Sequence, residues 1–445
     1  MRDLLYHAAW LIIIPLSFYS AHISILAWVW VALLPPANLL YGRLGAVLPF
    51  NKIVAATTVF VLIAGDTKKD FYRDPLIVAI VLYSVIVTLT YFTQPFDSGT
   101  SDLQYDKFWK EIVLFFLMTG LMFTRHRLHS VALVVALAFG FMMVKEGLIF
   151  LLTAGGHKID AIGTVGDNNG LALALLMTLP LLLYCAKYTA DYWIRIGMYI
   201  TAGLGVVTVI ATYSRGGFVG LIVLGLMLLK GSKYKVRAVI AVAIVGALVL
   251  ATAPDDYLAR INTIKEASDD DSFSTRVVAW KINYMMALDH PILGNGLYAS
   301  LVWDNWARHV GDATTFLFPS PLVMRTFVAH SIYFQVLGDT GFTGFFLFLT
   351  MLGIAMIMTL RTQRLARRDP SLEWSGELAR ALQISLVIYC VAGAALSLVY
   401  FELLYILLAM VSRNYRTAKQ TAAAQVAPVG ARVPSRFVPA FPKAA

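Results

Sequence analysis

The chain has 445 residues, of which 59% are hydrophobic and only 14% charged. That balance excludes an ordinary soluble enzyme and marks a polytopic membrane protein. The formal net charge of +10 does not point to a nucleic-acid partner, because its lysines and arginines gather in short loops between apolar runs. They fall at Lys68, Lys69 and Arg73, at Arg125 and Arg127, at Lys230, Lys233, Lys235 and Arg237, and from Arg361 through Arg368. Such clusters mark the cytoplasmic side of a membrane protein.

The apolar runs are about 15 to 27 residues long, the length of helices crossing about 30 Å of hydrocarbon. Long alternating strands are missing, so the expected fold is an all-α polytopic bundle and not a membrane β-barrel. The first run, 8–34, reads as a retained helix, or as two short helices broken near Ser20. The next spans are 50–64, 75–93, 108–123, 131–153, 169–187, 193–213, 215–230 and 236–253. After a long polar interval come 341–360, 379–399 and 400–412, the last short enough to be half-inserted. About twelve spans result, and alternating them puts every basic cluster inside. The acidic loop around Asp97 and Asp102, the loop around Asp160 and Asp167, and residues 254–330 then lie outside.

The expected organisation is therefore N-terminal transmembrane helices over 1–253, an outer cap over 254–340, C-terminal transmembrane helices over 341–412, and a disordered cytoplasmic tail over 413–445. The cap is the long loop between the ninth and tenth spans. Within it Ser274 to Leu288 reads as a helix, since Val277, Trp280, Tyr284 and Leu288 recur at helical spacing, with Ser272 or Ser274 as its cap. Pro291 and the Gly294-Asn295-Gly296 turn end it. A second short helix, His330 to Leu337, precedes Gly338-Asp339-Thr340-Gly341. The tail after Arg416, rich in Ala, Pro, Val and Arg, has no patterning.

Three basic residues stand at the outer ends of these helices: Arg215, Arg276 and His330. Ionisable groups there are expensive and read as functional by default. Two guanidinium groups suit a phosphate or diphosphate, and a histidine beside them suits taking a proton from an acceptor hydroxyl. Arg215 sits in Ala211-Thr-Tyr-Ser-Arg-Gly-Gly-Phe218, where glycines let backbone approach a ligand. The alternative for it is a snorkelling arginine in a tight turn, and for Arg276 a surface pair with Asp270 or Asp271. Asp339 is a candidate to orient the His330 ring. Gly166-Asp-Asn-Asn-Gly170 places Asn168 and Asn169 where they orient sugar hydroxyls or simply cap a helix. Trp280, Trp303, Trp306 and Tyr333 suit stacking on sugars or anchoring at the interface.

No phosphate-binding glycine-lysine loop, dinucleotide fingerprint or paired Cys or His metal spacing is present, so no cofactor and no metal is expected. The Asp269-Asp270-Asp271 run lacks a ligand ladder. Cys185 and Cys390, both in or beside apolar runs, suggest neither a disulfide framework nor a metal cluster. A transporter would share the span count and the arginines but should show internal pseudo-symmetry and broken midplane helices, which the sequence does not show.

The order Ser-Arg-Gly-Gly (214–217), Ser-Thr-Arg-Val-Val-Ala-Trp (274–280), His-Pro-Ile-Leu-Gly-Asn-Gly (290–296), Ala-His-Ser-Ile-Tyr (329–333) and Gly-Asp-Thr-Gly (338–341) resembles the O-antigen ligase and O-antigen polymerase superfamily. The likeness covers roughly 160–410, and the first half is more similar to O-glycosylation ligases of exosortase gene clusters. The resemblance implies a GT-C-like membrane glycosyltransferase of the bacterial inner membrane, multi-pass, with its site on the periplasmic side. It implies a glycan donor linked to undecaprenyl diphosphate and, in the ligase case, a lipid A-core acceptor. Polymerases and protein O-oligosaccharyltransferases share the plan. The positions it matches to the chemistry are Arg215, Arg276 and His330, by an inverting transfer in which arginines rather than a metal stabilise the departing diphosphate. A groove between apolar helices would hold the polyprenyl chain.

Overall fold

A computed structural model describes residues 2–35, 50–64, 69–157, 159, 167–231 and 271–426. Every regular element among the described residues is helical. The N-terminal group comprises α1 (Arg2–Tyr19), α2 (Ala21–Leu33), α3 (Phe50–Ala64), α4 (Pro75–Thr93), α5 (Gly99–Leu121), α6 (Arg125–Leu152), α7 (Asn168–Tyr188), α8 (Tyr192–Ala211) and α9 (Arg215–Gly231). The cap contributes α10 (Asp271–Asp289) and α11 (Trp303–His309), and the chain closes with α12 (Ile332–Ala366), α13 (Glu373–Ala392) and α14 (Glu402–Val426). Six helical segments are long and apolar enough to cross a membrane, namely α4, α6, α7, α8, α12 and the stretch Pro370–Ala395 that contains α13. The protein is a multi-pass, all-α membrane protein.

Local chemistry sets the starts. Asp74 accepts the Ile77 N–H at 2.7 Å with Pro75 as the first helical residue, and Ser98, Thr124, Asp167 and Asp191 cap α5, α6, α7 and α8 in the same way. The run 8–34 is two helices: Ser20 has extended backbone, φ −149 and ψ 123, and divides α1 from α2. Ser272 and Ser274 lie within the cap helix, which is described from Asp271. The second cap helix starts at Ile332 and does not end at Leu337. It runs into the following span, kinked at Gly341, whose φ is 65. The expected span 236–253 and the cap residues before 271 lie outside the described residues. At the other end α14 runs past Arg416 to Val426, so the expected disordered tail is helical over its first part. Its inward face explains this, since Ser412, Arg413, Asn414 and Ala418 are buried.

Helix α7 is the axis of the bundle, with 89% of its apolar window buried, packed against α6, α8, α9 and α13. Lipid is as apolar as leucine, so close backbone approach and interhelical hydrogen bonds carry the association. A Cβ on Gly217 of α9 would meet Ala172 of α7 at 3.0 Å, and one on Gly147 of α6 would meet the Leu204 carbonyl oxygen of α8 at 2.8 Å. The Thr208 hydroxyl donates to the Met143 carbonyl at 2.9 Å, and that of Ser385 to Met177 at 2.6 Å.

The end bearing Arg125, Arg127 and Arg361 to Arg368 is the basic end of the bundle. There Arg413, 1% exposed, donates to the Asp70 carboxylate at 2.6 Å and to the Thr119 carbonyl at 3.3 Å, and Arg416 binds the same carboxylate at 2.9 Å. Burial raises the Asp70 pKa, but hydrogen bonds from Arg416 and Arg413 outweigh it and hold the carboxyl below its usual range. This pair ties α14 to the segment before α4.

At the opposite end the cap is locked to α12 by two of the motifs read in the sequence. Asn295 donates its backbone N–H to the Gly338 and Asp339 carbonyls at 3.2 and 3.0 Å, its side-chain amide to Met286 at 2.7 Å, and Phe342 N–H donates to Pro291 at 2.8 Å. The backbones interlock so closely that a Cβ on Gly294, φ 68, would lie 2.3 Å from the Asp339 carbonyl oxygen. Gly294→Ala is therefore expected to cost well over about 1 kcal/mol, read as a lowered melting temperature of the detergent-purified protein. An unchanged temperature would mean the lock is not made.

Candidate functional site

Three helix beginnings meet at the cap end. Asn168, the first residue of α7, donates its side-chain amide to the Thr212 carbonyl at 2.7 Å in the turn between α8 and α9. In that turn Tyr213 takes a left-handed conformation, φ 53, and Ser214 accepts the Gly217 N–H at 2.9 Å, so that Arg215 begins α9. A Cβ on Gly216 would lie 4.0 Å from the Ala392 carbonyl of α13, and one on the adjacent Gly393 would lie 3.0 Å from Ile332, which begins α12. The starts of α7, α9 and α12 thus share one neighbourhood, and the positive ends of their dipoles favour an anion there.

His330 lies immediately before α12, half-buried, in the left-handed region at φ 47. Such a conformation costs a non-glycine residue about 1 to 3 kcal/mol and persists where surroundings impose it. Here Ser397 accepts the His330 N–H at 2.7 Å, and the Ser397 carbonyl is itself held by the Tyr298 hydroxyl at 3.1 Å. Burial lowers the His330 pKa, the positive charge of Arg276 lowers it further, and the carboxylate of Asp167 partly opposes both. Arg276, in the first turns of α10, and Asp167, the cap of α7, therefore both act on the imidazole. The ring is held neutral, the form that accepts a proton.

The other candidates are placed as follows. Arg215 is exposed at the start of α9, and Arg276 is half-buried. Tyr333 donates its hydroxyl to the Cys390 carbonyl at 2.7 Å, fixing the first turn of α12 to the end of α13. Trp280 stacks on Phe334, ring centroids 5.3 Å apart and 8° from parallel, which places it beside the site with one face taken by protein. Asn169 bonds Asp167 at 3.3 Å and Asn168 at 3.2 Å, so the Asp-Asn-Asn run serves the helix start as well as facing the site. Trp306 is not a sugar platform: it is fully buried in the cap core, donating its ring N–H to Val323 at 2.8 Å. Trp303 is exposed on α11.

Asp339 does not orient His330. It is buried in α12, where it accepts the Ala299 N–H at 3.1 Å and the Tyr400 hydroxyl at 3.2 Å, so it holds the cap and the segment before α14 instead. Sequence reading missed the hold of Ser397 on the His330 backbone and the charge of Asp167 acting on the ring. Asp167 stood in a flagged motif, whereas Ser397, in an apolar run, carried no signal. An apolar groove of about 300 Å³ between α4 and α5, lined by Val81, Val85, Leu89, Trp109, Ile112 and Phe116 among others, contains none of these residues.

A bundle of membrane-length helices, with Arg215, Arg276 and His330 near the cap end, defines a multi-pass membrane protein. Residues 200–349, which contain Arg215, Arg276 and His330, match the O-Antigen ligase family, and residues 1–190 match a family of unknown function. Over that stretch the chain is similar to the O-antigen ligase superfamily. No curated protein gives a match to it.

Proposed function

We propose that this protein is an O-antigen ligase, moving a preassembled glycan from undecaprenyl diphosphate to a lipid A-core acceptor at the periplasmic face of the bacterial inner membrane. The observation that carries the reading is His330 held in a left-handed turn by Ser397 among converging helix starts, with the charges of Arg276 and Asp167 acting on its ring. His330, kept neutral, takes the proton of the acceptor hydroxyl as that oxygen bonds to the anomeric carbon. The bond from that carbon to the phosphate oxygen breaks on the opposite face, so the centre inverts and the diphosphate leaves with the electron pair. Arg215 and Arg276, with the helix N–H groups, stabilise the charge that develops there. In this reading Asn168, Asn169, Trp280 and Tyr333 contribute the contacts to the sugars. The match over 200–349 supports the family chemistry.

The test is the fate of the lipid-linked glycan in cells lacking the protein, by lipopolysaccharide gel and mass spectrometry, with wild type or His330→Ala restored. Loss of the long ladder with polymer accumulating on undecaprenyl diphosphate, rescued by wild type alone, is expected. An unchanged ladder would redirect the search to glycoproteins, and single repeats would indicate a polymerase.

Ser397 acts through His330 as a positioning residue. Ser397→Ala should lower kcat several-fold with KM for the lipid-linked donor near wild type. An unchanged kcat in purified protein would show that the turn holds without the hydroxyl.

A further inference from the structure

A band of exposed apolar side chains climbs from the lipid-facing side of α12 onto the cap. Phe346 is 60% exposed, on a helix whose apolar window is only 39% buried, which is the signature of a lipid-facing surface. One turn nearer the cap, Phe342 meets Tyr284 of α10 edge-on with centroids 6.3 Å apart, and Tyr284 meets Phe316 at 5.8 Å. Beyond Phe316 the cap loop exposes Leu317, Phe318, Leu322 and Met324, while Leu288 and Ile292 are exposed at the foot of α10, next to the Pro291 carbonyl that binds Phe342.

The loop's shape is imposed. Leu317 has left-handed backbone, φ 61, which a leucine rarely adopts, and Pro319 and Pro321 restrict the residues beside it. Lys281, 4% exposed, donates from its ammonium to the Phe318 carbonyl, to Ala313 at 3.2 Å and to Ser320 at 3.1 Å. A buried lysine thus clamps a short loop so that its large apolar groups point outward, an arrangement that is unfavourable in water. At the loop's end Arg325, over the Phe327 ring at 4.3 Å, adds an exposed cation of the kind that binds phospholipid phosphates.

We propose that the loop 316–325, with Leu288 and Ile292, is seated in the phospholipid leaflet at the cap end, making the cap a membrane-inserted element. The apolar side chains enter the boundary between headgroups and acyl chains, as in interfacial membrane segments, and the band is continuous with the lipid-facing surface of α12. The inference stands apart from the transfer chemistry.

The test uses the full chain in nanodiscs of phosphatidylethanolamine and phosphatidylglycerol. Leu322→Cys and Met324→Cys are made separately, in a background with Cys185→Ala and Cys390→Ala, and each is labelled with an environment-sensitive fluorophore. Asp304→Cys, at an exposed position of α11, is the aqueous reference. Lipids carrying a nitroxide high on the acyl chain are expected to quench the labels at 322 and 324 several-fold more than the label at 304, with iodide showing the reverse order. Labels at 322 and 324 that iodide quenches as well as at 304, or that neither quencher reaches because another protein copy covers them, would overturn the proposal.

Discussion

Replacing His330 with alanine is expected to cut glycan transfer by about 10²- to 10⁴-fold, the range general-base catalysis contributes. Alanine also dislikes the left-handed backbone at this position, so His330→Asn is the companion variant, since asparagine tolerates that conformation and is no base. Both should fall together in activity, and the asparagine protein should keep its melting temperature. Near-normal transfer by the asparagine variant would remove the imidazole from the mechanism. The pH profile carries the sign. Because burial and Arg276 hold the His330 pKa below its ordinary 6.5, kcat/KM should rise through a value below 6.5 and be flat across neutral pH. Arg276→Gln removes a charge that opposes protonation, so the acidic limb should move to higher pH. Asp167→Asn removes one that favours it, so the limb should move lower. Limbs that stay in place in both variants would show that neither group acts on the ring.

Loss of either arginine is the second large effect expected. Arg215→Ala and Arg276→Ala should each lower kcat by about 10²- to 10³-fold, the cost of removing one preorganised donor from a developing negative charge. Lysine restores the charge but not the forked donors, so Arg215→Lys and Arg276→Lys should recover only part of the loss. Assays of purified protein with a lipid-linked donor check this, together with the melting temperature. If Arg215→Ala turned over within about twofold of wild type, its role would reduce to that of an exposed arginine in a turn, for which about 0 to 1 kcal/mol is typical.

Length and polarity made much of the architecture legible. The run 75–93 became α4 with those same bounds, and 50–64, 169–187, 193–213 and 215–230 each found a helix within one or two residues. Apolar runs of this length can satisfy their backbone only as helices, and caps such as Asp74 and Asp167 are local. The extension of α14 past Arg416, by contrast, depends on neighbours. Polar residues such as Arg413 are helical there because Asp70 and the end of α5 receive them.

The chemistry divides in the same way. Arg215, Arg276 and His330 could be singled out from one dimension, because a charge at the edge of an apolar run is costly wherever the chain later goes. Their surroundings could not. Asp339, nine residues from His330, turns into the core to meet Ala299 and Tyr400, while Ser397, distant along the chain, holds the histidine's backbone and the charge of Asp167 acts on its ring. Helical packing sends residues on one turn to different faces and brings separate helix ends together. Which residues carry charge is therefore written locally, whereas their partners are decided by the packing of α7, α9, α12 and α13 against one another.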